Sequence, residues 1–318
     1  MGEGTQERRL GPGLSIVIVS WNAESVLAAC LQSLVANPPC RHWEVLVVDN
    51  ASSDDSVRIA GEFGGPVRVV ELDTNLGFAG AANEGFHRSQ EGYLLFLNSD
   101  VRARPSSLEN LSRFLDSHPE ASAAAGKLLG DDGAPQKGFN VRAFPSVASA
   151  ALEILLVDKI FPKNPISRSQ RMLDFSFADT VEVEQPAGAC LLVRREAFEA
   201  VGLFDTRFHP AWFEDVDLCL RLRRQGHRIF FVADALFDHR GGASLEVLSY
   251  PEFLSFWYSN LLRFFEKHHG SLAKNFLRVL VAVGMLERAL AAALLGPKPG
   301  LDRREALTAY WQVMRDVL

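Results

Sequence analysis

The 318-residue chain is 47% hydrophobic and 23% charged, the balance of a folded globular protein with room for one large domain and a helical appendage. Its net charge of −6 excludes a generally basic, nucleic-acid-binding surface. Cys30, Cys40, Cys190 and Cys219 form no C-x-x-C pair and stand mostly in apolar runs, so they are expected as reduced core residues of a cytoplasmic protein.

Residues 1–13 are polar and Gly-rich with no apolar stretch, so they read as a loose tail rather than a signal peptide. Residues 14–19 (LSIVIV) form a continuous β-branched run, as in a strand buried on both faces. Residues 24–35 then carry Val26, Leu27, Cys30, Leu31 and Leu34 at helical spacing. A second buried strand, residues 44–48, ends at Asp49, and Ser53 is placed to cap a short helix reaching Phe63. A third strand covers 67–72, a helix 79–88 follows a Gly-rich turn, and a fourth strand, 93–97 (YLLFL), stops at N-S-D. A helix at 105–117 starts at Ser106 or Ser107.

Residues 130–180 hold G-D-D-G, an apolar helix near 147–157 and a Pro/Ser/Arg-rich loop, and read as an insertion over the acceptor side. Beyond it lie strand 189–193, helix 215–225 and strand 228–232. Residues 250–268, 272–295 and 303–318 are helical in period, and Lys274, Arg278, Glu287 and Arg288 keep the second from reading as a membrane span. Alternating strands and helices predict a mostly parallel sheet covered on both faces. Ligands of such sheets bind beyond the carboxyl ends of the strands, where S-W-N, D-N-A-S-S-D and N-S-D all fall.

Three clusters carry chemistry. Asn98-Ser99-Asp100 ends a buried strand, where a carboxylate suits a hard cation shared with phosphate; Asn, Ser and Asp also form ordinary turns. Glu214, Asp215 and Asp217 crowd one helix start behind the aromatic-rich stretch Phe208–Phe213. An apolar wall raises a carboxylate's pKa toward that of a general base, whereas the helix dipole and an Asp217–Arg221 pair would explain the same acids structurally. His239 ends an apolar strand ahead of Gly241-Gly242-Ala243-Ser244, a pattern open to a metal or phosphate.

In order, SIVIVSWN, VVDNASSD, NLGFAGAANEG, LFLNSD, FEDVDLCLR and DHRGGAS resemble a family 2 glycosyltransferase of GT-A fold across residues 14–244. W-N after the first strand, G-F-A in the glycine turn, N-S-D for the stricter D-x-D, and K-L-L-G-D-D-G resemble bacterial rhamnosyltransferases of cell-wall and O-antigen assembly.

The resemblance implies a catalytic domain at 14–249 and a helical region at 250–318. It implies a nucleotide site of Ser20, Trp21, Asn22, Asp49, Asp54, Asn75, Gly77 and Asn83, extended by Asn98 and Ser99. Asp100 and His239 would hold Mn2+ or Mg2+ on the diphosphate, and the neutral Asn98 leaves more of that task to Asp100. Asp215 would be the base, with Glu214 beside it. Gly188, Ala189, Trp212 and Asp217 would border the donor and acceptor sugars.

The implied reaction is inverting transfer of a sugar, L-rhamnose from dTDP-L-rhamnose, to a glycan or polyprenyl-linked hydroxyl. UDP-galactofuranose and UDP-N-acetylglucosamine are the alternative donors. A nucleotidyltransferase would need a Gly-rich basic loop where S-W-N-A-E-S stands, and a non-catalytic module would have lost Asp100 or Asp215. The C-terminal helices, basic and aromatic, are expected at the inner membrane face, or else against the domain or in a homodimer interface.

Overall fold

The computed structural model describes residues 11–241, 248–297 and 301–317. Its sheet is built from β1 (Leu14–Ser20), β2 (Trp43–Asp49), β3 (Val67–Glu71), β4 (Tyr93–Leu97), β5 (Val101–Ala103), β6 (Ala121–Leu129), β8 (Val181–Glu182), β10 (Cys190–Arg194) and β11 (Arg228–His239). A separate ribbon pairs β7 (Val141–Arg142) with β9 (Gln185–Pro186).

The sheet order is β3-β2-β1-β4-β10-β6-β11-β5, with β8 also on β11. β1 to β4 run parallel to one another, β10 runs against both β4 and β6, and β11 is parallel to β6. The apolar runs of β1, β2 and β4 are buried because helices cover both faces.

α1 (Glu24–Ala36) and α4 (Ser107–Ser117) pack on one face. α3 (Gly77–Arg88), α8 (Arg195–Ala200) and α9 (Glu214–Arg224) pack on the other. The buried residues of α1 are Val26, Leu27, Cys30, Leu31 and Leu34, the set its spacing predicts.

Three local expectations change and one holds. Ser53 caps nothing: α2 (Ser56–Gly61) starts after Asp55, and Ser53 instead donates its amide to Asn22 Oδ1. α4 starts at Ser107, as expected, though without a serine side-chain cap: Ser106 is left-handed (φ 66°) and the Ser107 hydroxyl bonds the Leu236 backbone. Cys40 is exposed, while the other three free cysteines are buried. The strand expected at 228–232 runs on to His239 through a bulge between Val232 and Leu236.

β6 was not anticipated. Its A-S-A-A-A-G composition has helical propensity, but between β10 and β11 only small side chains fit. A Cβ on Gly126 would lie 2.5 Å from the Phe237 ring.

A third core joins α5 (Val147–Ile154), Phe208 and Phe213 to two C-terminal helices, Tyr250–Leu295 and Arg303–Val317. The first is broken at Gly270, whose φ of 85° ends one helical segment and starts the next. No helix among the described residues is long and apolar enough to cross a membrane.

Candidate active site

β1 and β2 pair in register Ser20↔Asp49, so two polar side chains meet at neighbouring strand ends. Both are buried, and Ser20 Oγ and Asp49 Oδ1 each lack a partner among the described residues. Unpaired buried oxygens are costly unless a ligand completes them. Asp49 Oδ2 accepts from the Ser52 amide (2.9 Å), which fixes the carboxylate. Asn22 (φ 49°) links the β1 and β2 loops through Ser52 and Ser53, and Trp21 beside it is half-buried.

Asp54 is used up within these loops. It accepts from the Glu24 amide and from the Ser56 amide and hydroxyl, bonds that hold its carboxyl below its ordinary range against the opposing effect of burial. Asn75 is likewise engaged, by Asn50 and the Gly77 amide. Gly77 (φ 71°) lies under the 209–210 backbone, where a Cβ would come 2.7 Å from His209 Nδ1. Asn83 exchanges two hydrogen bonds with the Phe204 backbone. Asp54, Asn75, Gly77 and Asn83 therefore shape the pocket's loops, and none of the four lines the main cavity.

That cavity, of about 720 Å3, takes Asn98 and Asp100 from the end of β4 and His239 from the end of β11. Antiparallel pairing of β5 with β11 sets His239 opposite Val101, which brings its Nε2 to 3.5 Å from Asp100 Oδ1. His239 Nδ1 is 2.7 Å from Gln136 Oε1, and Gln136 Nε2 donates to the His239 carbonyl at 2.8 Å. A proton held on Nδ1 by that contact leaves the Nε2 lone pair facing Asp100.

Among the described residues no third His, Cys, Asp or Glu completes a protein-only metal cluster. One carboxylate and one neutral imidazole fit a Mg2+ or Mn2+ that takes its other oxygens from a diphosphate and water. Ser99 is half-buried beside Asp100, and Gly242–Ser244 lie outside the described residues.

The same cavity takes Glu214 and Asp215 from the start of α9. Asp215 Oδ2 accepts from the Gly188 amide (2.8 Å) and Oδ1 from its neighbour Val216 (2.8 Å). A Cβ on Gly188 would reach 2.8 Å from the Asp215 Cβ, so this contact needs a glycine. Ala189 is buried beside it, its carbonyl bonded by the Asn98 amide. Burial raises the Asp215 pKa, and the two amides oppose that rise. Glu214 is pushed well above its ordinary value, by burial first and then by the charge of Asp215, and its Oε2 has no partner among the described residues. Burial thus raises both adjacent acids, while the Gly188 and Val216 amides favour the ionised form of Asp215. Trp212 lines the same cavity, edge-on to Phe253 (5.2 Å).

Asp217, expected near a sugar, is a correction. Its side chain is wholly buried on the far side of α9, bonded to Arg221, Lys267 and His268 at 2.7, 2.6 and 2.7 Å. It anchors the long C-terminal helix. Sequence reasoning also missed Gln136, Arg142 and Glu153, three cavity-facing residues of the insertion. The only signal for them was their location over the acceptor side.

A model of the family described as Glycosyl transferase family 2 matches residues 15–202. The chain is 30% identical over 251 residues to O-antigen biosynthesis protein RfbC of Myxococcus xanthus, covering 78% of this chain and 19% of that much longer protein. It is 29% identical over 237 residues to the N-acetylglucosaminyl-diphospho-decaprenol L-rhamnosyltransferase of Mycobacterium tuberculosis, covering 71% of this chain and 75% of the relative. The mannosyltransferase PcManGT of Pyrobaculum calidifontis, solved with GDP-Man and Mn2+, shares the GT-A fold with a TM-score of 0.55 at 16% identity, over 97% of this chain and 86% of that one. The family model alone spans more than half of the sequence, and the chain belongs to glycosyltransferase family 2.

Proposed function

We propose that the chain is an inverting glycosyltransferase that moves L-rhamnose from dTDP-L-rhamnose to a hydroxyl of a lipid-linked or glycan acceptor in bacterial surface-polysaccharide assembly. One observation carries the reaction type: Asp215 and the Asp100–His239 pair line one cavity. A carboxylate held by two backbone amides in the same cavity as a diphosphate site suits direct displacement. Asp215 takes the acceptor proton, the acceptor oxygen bonds the anomeric carbon, and the sugar–diphosphate bond breaks with its electron pair leaving on phosphate. Asp100 and His239 hold the diphosphate end. A bound divalent cation there neutralises the charge that builds on it.

The rhamnose assignment is supported by relatives named rhamnosyltransferases. Calorimetric titration is expected to give a preference for dTDP over UDP on the order of tenfold. A clear preference for UDP refutes the rhamnose donor and favours a UDP-sugar.

The membrane placement is supported by the segment after Gly270. Leu272, Phe276, Val279, Val283, Leu286 and Leu290 form an exposed stripe, and among the exposed positions from 271 to 295 only Glu287 is charged. Leu294 and Leu295 extend this to an apolar tip, and exposed Arg303 and Arg304 open the last helix, with Trp311 above. A coiled-coil seam would be flanked by charges. An apolar tip with a basic collar matches an anionic lipid surface. The full chain is expected to float with anionic but not neutral vesicles at low salt, and Leu290→Glu with Leu294→Glu is expected to release it. Dimer dissociation by the same pair in light scattering, without flotation of the parent, assigns the face to a second copy instead.

A further inference from the structure

A pair of charged groups faces the cavity from the insertion, and no step of the reaction above uses them. The β7–β9 ribbon holds Arg142, whose Nε donates to the Gly138 carbonyl at 2.6 Å. Its other guanidinium nitrogens have no hydrogen bond or ion pair among the described residues. Glu153, in the last turn of α5, has a carboxylate with none at all among the described residues. Both side chains line the cavity that holds Asp215.

The surrounding charges are already engaged. Arg171 is paired with Asp158 at 2.7 Å, and Arg288 bonds the Ile154 and Gly284 carbonyls and the Tyr258 hydroxyl. Burial pushes the Glu153 pKa up and the Arg142 pKa down; their mutual charge opposes both shifts, but neither charged end is completed by a hydrogen-bonded ion pair among the described residues. No hydrogen bond or ion pair joins Arg142 to Glu153 among the described residues, though each feels the other's charge.

The chemistry of the gap selects its occupant. A phosphate would satisfy Arg142 but meet the like charge of Glu153. An alkyl chain would leave both unpaired. A sugar ring offers oxygens that accept from the guanidinium and hydroxyls that donate to the carboxylate. We propose that Arg142 and Glu153 form the subsite that grips the acceptor's sugar ring and turns its attacking hydroxyl toward Asp215. This rests on the glycosyltransferase reading.

The test is calorimetry on the full chain with a nucleoside diphosphate and Mn2+ present. The probes are octyl glycosides of N-acetylglucosamine, glucose, galactose and rhamnose. At least one glycoside is expected to bind, and Glu153→Gln and Arg142→Lys are each expected to weaken it by about tenfold or more while nucleoside diphosphate affinity stays within about twofold. The proposal is overturned if no glycoside binds to a chain that takes the nucleotide, or if both variants bind glycosides as the parent does. If the parent takes no nucleoside diphosphate, the glycosyltransferase reading itself falls, and the subsite with it.

Discussion

Asp215→Asn is expected to lower kcat by about 10²–10⁴-fold, the usual worth of a positioned general base, while leaving nucleoside diphosphate affinity nearly unchanged. Asparagine preserves the shape but has one acceptor oxygen, so it keeps only one of the Gly188 and Val216 amide bonds, and the unchanged nucleotide affinity of the same variant separates the missing base from a disturbed wall. The effect falls on kcat because the proton moves only as the acceptor oxygen attacks. The pH profile carries a sign. Burial raises the Asp215 pKa, the base works only when ionised, and the acid limb of kcat/KM therefore lies above the ordinary carboxylate range, with activity falling as pH drops through it. Glu214 is the control. Burial and the charge of Asp215 push its pKa up, which disfavours the ionised form a base needs, so Glu214→Gln is expected to cost far less than Asp215→Asn. If Glu214→Gln is the dead variant and Asp215→Asn turns over near normally, the base has been assigned to the wrong neighbour.

Asp100→Ala is expected to abolish turnover to within the background of the assay, a loss on the order of 10²–10³-fold or more. Among the described residues Asp100 is the cavity-lining carboxylate in contact with His239, and its neighbour Asn98 is neutral. Without it, one imidazole remains as the protein's donor to a cation shared with the diphosphate, which is too little for Mg2+ or Mn2+. Two measurements check this. The parent is titrated with a nucleoside diphosphate with and without Mn2+ or Mg2+, and turnover is followed in excess chelator. The cation should tighten nucleotide binding in the parent and not in Asp100→Ala. Full turnover in chelator overturns the metal requirement.

The strands that carry the site were legible because each is a short, unbroken apolar run that ends in polar residues. β4, YLLFL followed by N-S-D, places Asp100 from sequence alone, since a buried strand must stop where its backbone meets solvent and ligand. β6 was illegible for the opposite reason. Its alanines and glycine are chosen by the crowding of Phe237 across the sheet, which no local pattern records.

The glycine-rich stretch shows the same limit. Gly77, Asn75 and Asn83 looked like ligand contacts, yet their partners are the 209–210 backbone, Asn50 and Phe204. A residue shaped to receive another loop and one shaped to receive a nucleotide read alike in one dimension.

The sequence by itself determined the fold class, the strand ends where polar clusters gather with their acids Asp49 and Asp100, and the acidic helix start that holds Asp215. Only the tertiary structure decided which acids share a space. Asp215 and Asp217 are two residues apart, so on a helix their side chains are turned by about 200°. One faces the cavity and the other is locked beneath α9 by Lys267 and His268. Asp100 and His239 meet because β11 passes through a bulge and then pairs with β5, and Arg142 and Glu153 face Asp215 because a separate ribbon and helix fold over it. Those meetings are long-range pairings, set by sheet register and the packing of whole elements, and periodicity along the chain carries no term for them.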